Sequence, residues 1–94
     1  MEQWFVYAIQ SLKDGNLYIG ISQDPGKRVN THNRGATTST RMRRPFILVY
    51  QEPCESRKEA RRKEKYYKSG VGREILKQLI SPVAQSVERV AVNH

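Results

Sequence analysis

Two short runs of aromatic and β-branched residues, separated by a polar turn, constrain the fold of this chain more than any other feature. The first extends from Trp4 to Ile9 and the second from Leu17 to Ile21. Between them lies Asp14-Gly15-Asn16, whose residue types are typical of tight turns. Strands with so short a connection pair antiparallel, so the sequence predicts a β-hairpin near the start of the chain.

The second strand separates its residues onto two faces. Leu17, Ile19 and Ile21 point to one side, and Tyr18, Gly20 and Ser22 point to the other. A register that places Tyr7 opposite Tyr18 would put the even-numbered apolar residues of the first strand on the aliphatic face. Those residues are Trp4, Val6 and Ala8. The two phenols would then be neighbours on the opposite face, with open space beside them at Gly20.

Cap residues delimit a first helix after the hairpin. Asp24 followed by Pro25 is typical of a helix start, and Gly35 is typical of a helix end. The stretch 36–44 is rich in Thr and Arg and has no apolar periodicity, which predicts an exposed loop.

A third strand is predicted from Phe46 to Tyr50. Pro45 opens it and Pro53 closes it, because a missing amide is tolerated at such positions. Cys54 is the single cysteine and is expected to be a small buried or half-buried apolar residue.

Two helices complete the chain. Ser56 with Glu59 three residues later is a capping-box pattern, and strong helix formers continue to about Lys68. Two glycines are expected to interrupt the chain before a shorter apolar-patterned helix. The glycines are Gly70 and Gly72, and the apolar pattern consists of Ile75, Leu76, Leu79 and Ile80.

The predicted order is therefore β-β-α-β-α-α. This order indicates an α+β fold in which helices pack on a three-stranded antiparallel sheet. Ninety-four residues suffice for one modest core, so we expect one domain over residues 1–80. Residues 81–94 are expected to be a flexible tail or a short appended helix.

The charge of the chain favours a polyanionic partner. Seventeen Lys and Arg residues against nine Asp and Glu give a formal net charge of +8, and nucleic acid is the commonest partner of such a protein. No apolar run approaches the ~18 residues of a membrane span, and the N-terminal residues are not those of a secretory signal. We therefore expect no membrane association and a cytoplasmic location.

Glu64 is the most informative single residue. In a helix it shares a face with Ala60 and Tyr67, whereas basic residues occupy much of the remaining surface. Ordinarily such a Glu forms salt bridges with Arg61 or Lys68. The functional alternative is a lone oxygen ligand to Mg²⁺ or Mn²⁺, ions that need only one or two carboxylates.

Four other side chains suit phosphate chemistry. Tyr7 and Tyr18 would offer two adjacent hydroxyls, although strand tyrosines mostly serve packing. Arg28 and His32 are four apart and share a helical face. Arginine binds phosphate oxygens and histidine carries protons near neutral pH, but both are also ordinary surface residues. The residues expected to contact nucleic acid are Lys27, Arg41, Arg43, Arg44, Arg61 and Lys68.

Taken in order, these segments resemble the GIY-YIG nuclease family. The main motifs are Val6-Tyr7-Ala8, Tyr18-Ile19-Gly20, Arg28, His32 and Glu64. The segments Asp24 to Gly35, Arg43-Arg44-Pro45 and Glu59 to Lys68 are similar to those of its small stand-alone members, which are related to the catalytic domain of the bacterial excision-repair nuclease subunit. The resemblance extends from Phe5 to about Lys68.

The resemblance implies cleavage of DNA phosphodiester bonds with the help of one divalent ion, held by Glu64. Tyr7 would position or deprotonate the attacking water, and Tyr18 would orient that water or act in the same proton path. Arg28 would stabilise the charge that develops on the phosphate. His32 would accept the proton of Tyr7. Which tyrosine is the base is left open.

Three functions are compatible with these patterns. The first is a metal-dependent DNA endonuclease in repair or recombination. The second is a module that binds DNA or RNA and cuts little or nothing. The third, a structural RNA binder, is supported by charge alone. The sequence does not fix the oligomeric state, although a monomer is favoured.

Overall fold

The computed structural model describes residues 3–36 and 40–80, and it confirms the predicted order of elements. The elements are β1 (Trp4–Ser11), β2 (Leu17–Ser22), α1 (Pro25–Asn33), a 3-10 turn (Arg41–Arg43), β3 (Phe46–Cys54), α2 (Arg57–Lys68) and α3 (70–80). The predicted tail or appended helix over 81–94 lies outside the described residues. None of the helices over 3–36 and 40–80 has the length and apolar character of a bilayer span.

The sheet has the order β2-β1-β3, and both pairs of neighbours are antiparallel. The central strand β1 is buried on both faces, because its alternate residues enter two different clusters. One cluster packs the aliphatic face of the hairpin against α2 and α3. Its members are Val6, Ala8, Leu17, Ile19, Cys54, Ala60, Tyr67, Leu76 and Ile80. The fold is therefore the predicted α+β sheet with packed helices.

The second cluster lies on the tyrosine face of the sheet. Tyr7, Ile9 and Phe46 are buried there, and Val29 of α1 packs against them. Helices thus cover both faces of the sheet, with α1 on one face and α2 and α3 on the other. This arrangement leaves the outer edge of β2 accessible from both faces.

The hairpin register differs from the one considered in the sequence analysis. Tyr7 pairs with Gly20, and Tyr18 pairs with Ile9. The predicted faces are correct, because a displacement of two residues leaves every side chain on its own side. The turn sets the register, since the Ser11 amide donates to the Asn16 carbonyl at 3.0 Å. The glycine that was expected beside the two phenols therefore lies directly opposite Tyr7.

Helix α1 has the predicted boundaries and a fixed attachment to the sheet. Asp24 accepts a hydrogen bond from the Lys27 amide at 3.1 Å, and Gly35 has a φ of +80° after the helix end. Asn33 binds both backbone groups of Phe46. It accepts from the amide at 2.6 Å and donates to the carbonyl at 3.0 Å. These two bonds hold the end of α1 against the start of β3.

Two predicted boundaries were wrong. The stretch 36–44 is not wholly an exposed loop, since Thr40 is buried and Arg41–Arg43 form a 3-10 turn. The strand β3 extends past Tyr50 to Cys54 and contains Pro53. Pro53 is accommodated because β3 is an edge strand, whose outward amides need no partner strand. Cys54 is buried, as predicted.

The expected interruption before α3 was also wrong. The helix starts at residue 70 and includes both glycines. A Cβ at Gly72 would come within 1.9 Å of the Tyr66 carbonyl oxygen, so glycine there allows α3 to begin against the end of α2. Leu76 and Ile80 are buried, whereas Ile75 and Leu79 are exposed.

Candidate active site

All five side chains predicted to act in catalysis or metal binding line one cavity of about 730 Å³. They are Tyr7, Tyr18, Arg28, His32 and Glu64. Residues from both faces of β2 also line this cavity, so it extends around the outer edge of the sheet between α1 and α2.

The backbone of Gly20 makes room for the Tyr7 phenol. A Cβ on Gly20 would lie 2.7 Å from the Tyr7 hydroxyl and 2.9 Å from its Cζ. Both separations are far below ordinary van der Waals contact. The ring of Tyr7 therefore lies directly across β2, and its hydroxyl reaches the cavity although the residue is only 4% exposed.

Tyr7, His32 and Thr40 form a chain of polar contacts. The Tyr7 hydroxyl lies 3.4 Å from Nε2 of His32, and Nδ1 of the same ring lies 2.9 Å from the Thr40 hydroxyl. All three residues are buried. Phe46 packs its ring against that of His32 at a centroid distance of 5.8 Å. The imidazole is therefore held by contacts at both nitrogens and by ring packing.

Burial and the charge of Arg28 together determine the protonation states of Tyr7 and His32. Burial raises the pKa of the Tyr7 phenol above its ordinary value, although the Arg28 guanidinium opposes the change. Burial also lowers the pKa of His32, and the charge of Arg28 lowers it further. At neutral pH the phenol is consequently protonated and the imidazole is neutral.

Tyr18 has a different environment from Tyr7. Its hydroxyl donates to the Asp14 carboxylate at 3.4 Å, and its ring packs edge-on against Phe46 at 5.4 Å. Tyr18 lines the cavity but is only partly buried. The two phenols thus share the cavity, but Tyr7 contacts the imidazole of His32 whereas Tyr18 contacts a carboxylate.

Glu64 reaches the cavity from α2, on the other side of the β2 edge. Its side chain is 16% exposed and accepts a hydrogen bond from Lys68 at 3.1 Å. The predicted alignment with Ala60 and Tyr67 is confirmed, because those two residues are buried against the sheet. Glu64 therefore combines both readings of the sequence, a helical ion pair and a carboxylate that faces the other site residues.

A divalent ion of the magnesium type is compatible with these groups. Among the residues of 3–36 and 40–80, no three His, Cys, Asp or Glu side chains cluster, so a cage built only of such side chains is not formed there. Mg²⁺ and Mn²⁺ accept one carboxylate together with waters and substrate phosphate. Glu64 is the one carboxylate among the described residues that line this cavity, and the open cavity leaves room for waters and a phosphate.

Basic side chains surround the cavity mouth. Arg61 and Lys68, both expected to contact nucleic acid, line the cavity, and so do Arg57 and Arg73. Lys27 lines a neighbouring cavity that it shares with Arg28. The other predicted contacts lie outside the cavity wall, on the 3-10 turn and directly after it. They are Arg41, Arg43 and Arg44.

The structure also places in the cavity wall four polar residues that were not among the predicted site residues. Thr40 and Asn16 line the cavity together with Arg57 and Arg73. Thr40 belongs to a Thr-rich stretch with no internal pattern, so no signal in the sequence selects it. Arg57 and Arg73 lie at the first turns of α2 and α3, and the sequence does not distinguish them from the many other basic residues of the chain.

A family comparison agrees with the site geometry. The family model described as the GIY-YIG catalytic domain matches residues 3–75. This range contains both hairpin tyrosines, Arg28 and His32 of α1, and Glu64 of α2. The chain belongs to the GIY-YIG catalytic domain family, a family of nucleases that act on nucleic acid.

Within that family the chain is similar to proteins named UPF0213. One from Desulfotalea psychrophila is 46% identical over 63 residues, which are 65% of this chain and 56% of that protein. One from Staphylococcus aureus is 45% identical over 65 residues, which are 68% of this chain and 78% of that protein. The match thus spans a little over half of the Desulfotalea relative.

A solved structure is also similar. The solution NMR structure of a UPF0213 protein from Bacillus halodurans is 35% identical in sequence, with a TM-score of 0.50. The similarity covers 82% of this chain and 84% of that chain.

Proposed function

We propose that this chain is a metal-dependent endonuclease that hydrolyses DNA phosphodiester bonds, with a role in DNA repair or recombination. The observation that carries the proposal is the meeting of a phenol, a neutral imidazole, a guanidinium and a carboxylate in one cavity with a basic mouth. Each group has a part in phosphodiester hydrolysis that its chemistry suits. The basic mouth suits a polyanionic strand.

Glu64 would hold Mg²⁺ or Mn²⁺. When bound, such an ion supplies positive charge that polarises the scissile phosphate and stabilises the leaving oxygen. Glu64 faces the hydroxyl of Tyr7 closely enough to influence its pKa. The carboxylate and the phenol would therefore act on the same bound phosphate.

Tyr7 would activate the attacking water through His32. A phenol whose pKa is raised by burial is a poor base unless it loses its own proton in the same step. Tyr7 would pass its proton to Nε2 of His32 and take one from the water. The water oxygen then bonds to phosphorus as the bond to the leaving sugar oxygen breaks. His32 returns the proton to solvent, and the leaving oxygen gains one there.

Arg28 and Tyr18 would orient the reacting groups. The Arg28 guanidinium lines the cavity together with Tyr7 and His32, and its charge acts to lower the pKa of both. A guanidinium in this position binds phosphate oxygens and stabilises the charge that develops on them. Tyr18 lines the same cavity and would orient the attacking water.

The test is a comparison of Glu64→Gln with Glu74→Gln. Both residues are helical glutamates that pair with a lysine, at 3.1 Å for Lys68 and 3.5 Å for Lys77, but Glu74 does not line the cavity. We expect Glu64→Gln to abolish cleavage of nicked-plasmid and branched DNA in Mg²⁺ or Mn²⁺ while DNA binding persists. Glu74→Gln should cut normally. Equal cleavage by both variants would contradict the proposal.

A second candidate is a nucleic-acid-binding module that cuts little or nothing. The ion pair between Glu64 and Lys68 favours it, because the lysine competes with a metal for the carboxylate. Under this alternative the wild-type chain fails to cut DNA or RNA in either metal and shows only salt-sensitive binding. The same cleavage panel, with RNA substrates added, separates the two functions.

A further inference from the structure

Thr40 places a buried hydroxyl at the far end of the contacts that begin at Tyr7. The residue is 5% exposed, and its Oγ1 lies 2.9 Å from Nδ1 of His32. Thr40 also occupies the N-cap position of the 3-10 turn, where a threonine hydroxyl commonly binds a backbone amide. Here the side chain makes no capping bond. Its hydroxyl contacts the imidazole instead.

The backbone fixes the position of this hydroxyl. The Thr40 carbonyl accepts a hydrogen bond from the Arg43 amide at 2.9 Å, and the carbonyl of Arg43 in turn accepts from the Ser11 hydroxyl at 2.6 Å. Thr40 is thereby tied to the 3-10 turn, and the turn is tied to the end of β1. The contact with His32 is built on these bonds.

The direction of the hydrogen bonds follows from the neighbours of His32. A neutral imidazole carries one N–H, so one ring nitrogen donates and the other accepts. The Tyr7 phenol is more acidic than the aliphatic hydroxyl of Thr40 and is therefore the stronger donor. The Tyr7 O–H accordingly donates to Nε2. The single imidazole proton is then on Nδ1 and points to Thr40.

We infer that Thr40 is a positioning residue that holds His32 in the Nδ1–H tautomer, with the Nε2 lone pair facing the Tyr7 hydroxyl. Its effect on cleavage depends on the proposed nuclease function, but the tautomer itself does not. In the opposite tautomer Nε2 would carry a hydrogen and could take no proton from Tyr7. After proton transfer the ring has two N–H donors, and Thr40 continues to accept from one of them, so no buried donor is left unpaired.

The experiment compares Thr40→Val, Thr40→Ser and the control Thr31→Val. Valine keeps the shape of threonine and removes the hydroxyl, whereas serine keeps the hydroxyl. Thr31 precedes His32 in α1, but its hydroxyl donates to the Lys27 carbonyl at 3.2 Å. The control therefore removes a hydroxyl next to His32 in sequence without touching the imidazole contact.

The first measurement is the ¹⁵N shift of the two His32 ring nitrogens in the full chain, at a pH where the ring is neutral. We expect a protonated Nδ1 and an unprotonated Nε2 in the wild type, Thr40→Ser and Thr31→Val. Thr40→Val should move the ring toward the Nε2–H tautomer. An Nε2–H ring in the wild type overturns the inference, and so does a Thr40→Val ring that keeps the wild-type tautomer.

The second measurement is single-turnover DNA cleavage. We expect Thr40→Val to lower the rate constant on the order of 10-fold, below the 10²–10⁴-fold that a general base contributes, with unchanged substrate binding. Thr40→Ser should restore most of the rate. A wild-type chain that cuts nothing rejects the nuclease proposal alone, because the ring-nitrogen shifts still decide the role of Thr40. If Thr40→Val changes the tautomer of His32 but cuts DNA at the normal rate, the tautomer does not affect cleavage.

Discussion

Gly20→Ala tests the site geometry with the smallest possible change. The new methyl would lie 2.7 Å from the Tyr7 hydroxyl oxygen, 2.9 Å from Cζ and 3.2 Å from Cε2. Because nonbonded heavy atoms settle at roughly 3.5–4.0 Å, the hydroxyl oxygen must move by about 0.8–1.3 Å. Tyr7 is buried and its ring is rigid, so the movement displaces the hydroxyl from Arg28 and His32.

Two consequences of this displacement are measurable. Overpacking of this kind costs about 1–3 kcal/mol, which a urea titration detects as a lower midpoint with an unchanged slope. A misplacement near 1 Å at a reacting group lowers the rate on the order of 10²-fold. Single-turnover cleavage gives the second value, and ring resonances of Tyr7 and His32 report the displacement directly.

Gly26→Ala is the matched control. A methyl on Gly26 would be 3.6 Å from Asp24 Oδ1, which is ordinary contact. Within α1 the change should raise stability by roughly 0.5–1 kcal/mol and leave cleavage unaltered. If Gly20→Ala is as stable as the wild type and leaves the Tyr7 and His32 resonances in place, the steric reasoning is refuted. Full-rate cleavage by a chain with a displaced phenol refutes the role given to Tyr7.

Three further predictions concern metal affinity, stability and pH. Lys68→Met removes the ion pair with Glu64, which is worth about 0.3–0.5 kcal/mol. Mn²⁺ should therefore bind Glu64 about two-fold more tightly in a calorimetric titration. Weaker binding would contradict the idea that Lys68 competes with the metal for the carboxylate. Glu52→Gln should lower the free energy of unfolding by about 1–3 kcal/mol. Glu52 accepts hydrogen bonds from two phenols at 2.7 and 2.8 Å and pairs with Lys63. An unchanged urea unfolding curve would show that these three contacts do not stabilise the fold. Burial and Arg28 hold the pKa of His32 below its ordinary 6.5, so the cleavage rate should persist as the pH falls to 6.5 and decline only below it. Since the unfolded chain binds this proton more readily, His32 should also reduce stability below pH 6.5. A rate that halves above pH 6.5 would show that His32 is not the neutral acceptor.

Local patterns predicted the elements well because local forces form them. The alternation in β2, the Asp24 cap and the Ser56 capping box each depend on residues within one or two turns of chain. The structure confirms the alternation and the Asp24 cap. Ser56 caps α2 by accepting from the Glu59 amide at 3.1 Å, but the Glu59 carboxylate accepts from the Glu55 amide at 2.9 Å and not from the Ser56 amide of a full capping box. The predictions failed where one element packs against another. Gly72 was expected to interrupt the chain, but it is a point of close approach between two helices.

The candidate site followed a similar division. The identities of Tyr7, Tyr18, Arg28, His32 and Glu64 came from the order of motifs, and the structure gathers all five in one cavity. Their catalytic and metal-binding roles stay predictions. Arg41, Arg43 and Arg44 were proposed as nucleic-acid contacts from their charge, and they do not line that cavity. Charge shows that a basic surface exists, but it does not locate that surface.

The sequence by itself determined the order of the elements, the two faces of the hairpin, the basic character of the chain and the residues that resemble a nuclease motif. Each of these depends on spacing along the chain. The tertiary structure alone decided that Gly20 lies opposite Tyr7 and that Thr40 reaches His32. The first contact depends on the strand register, which the backbone hydrogen bonds of the folded hairpin turn set. The second depends on the docking of the 3-10 turn against α1, which is set by packing between elements rather than by residue type.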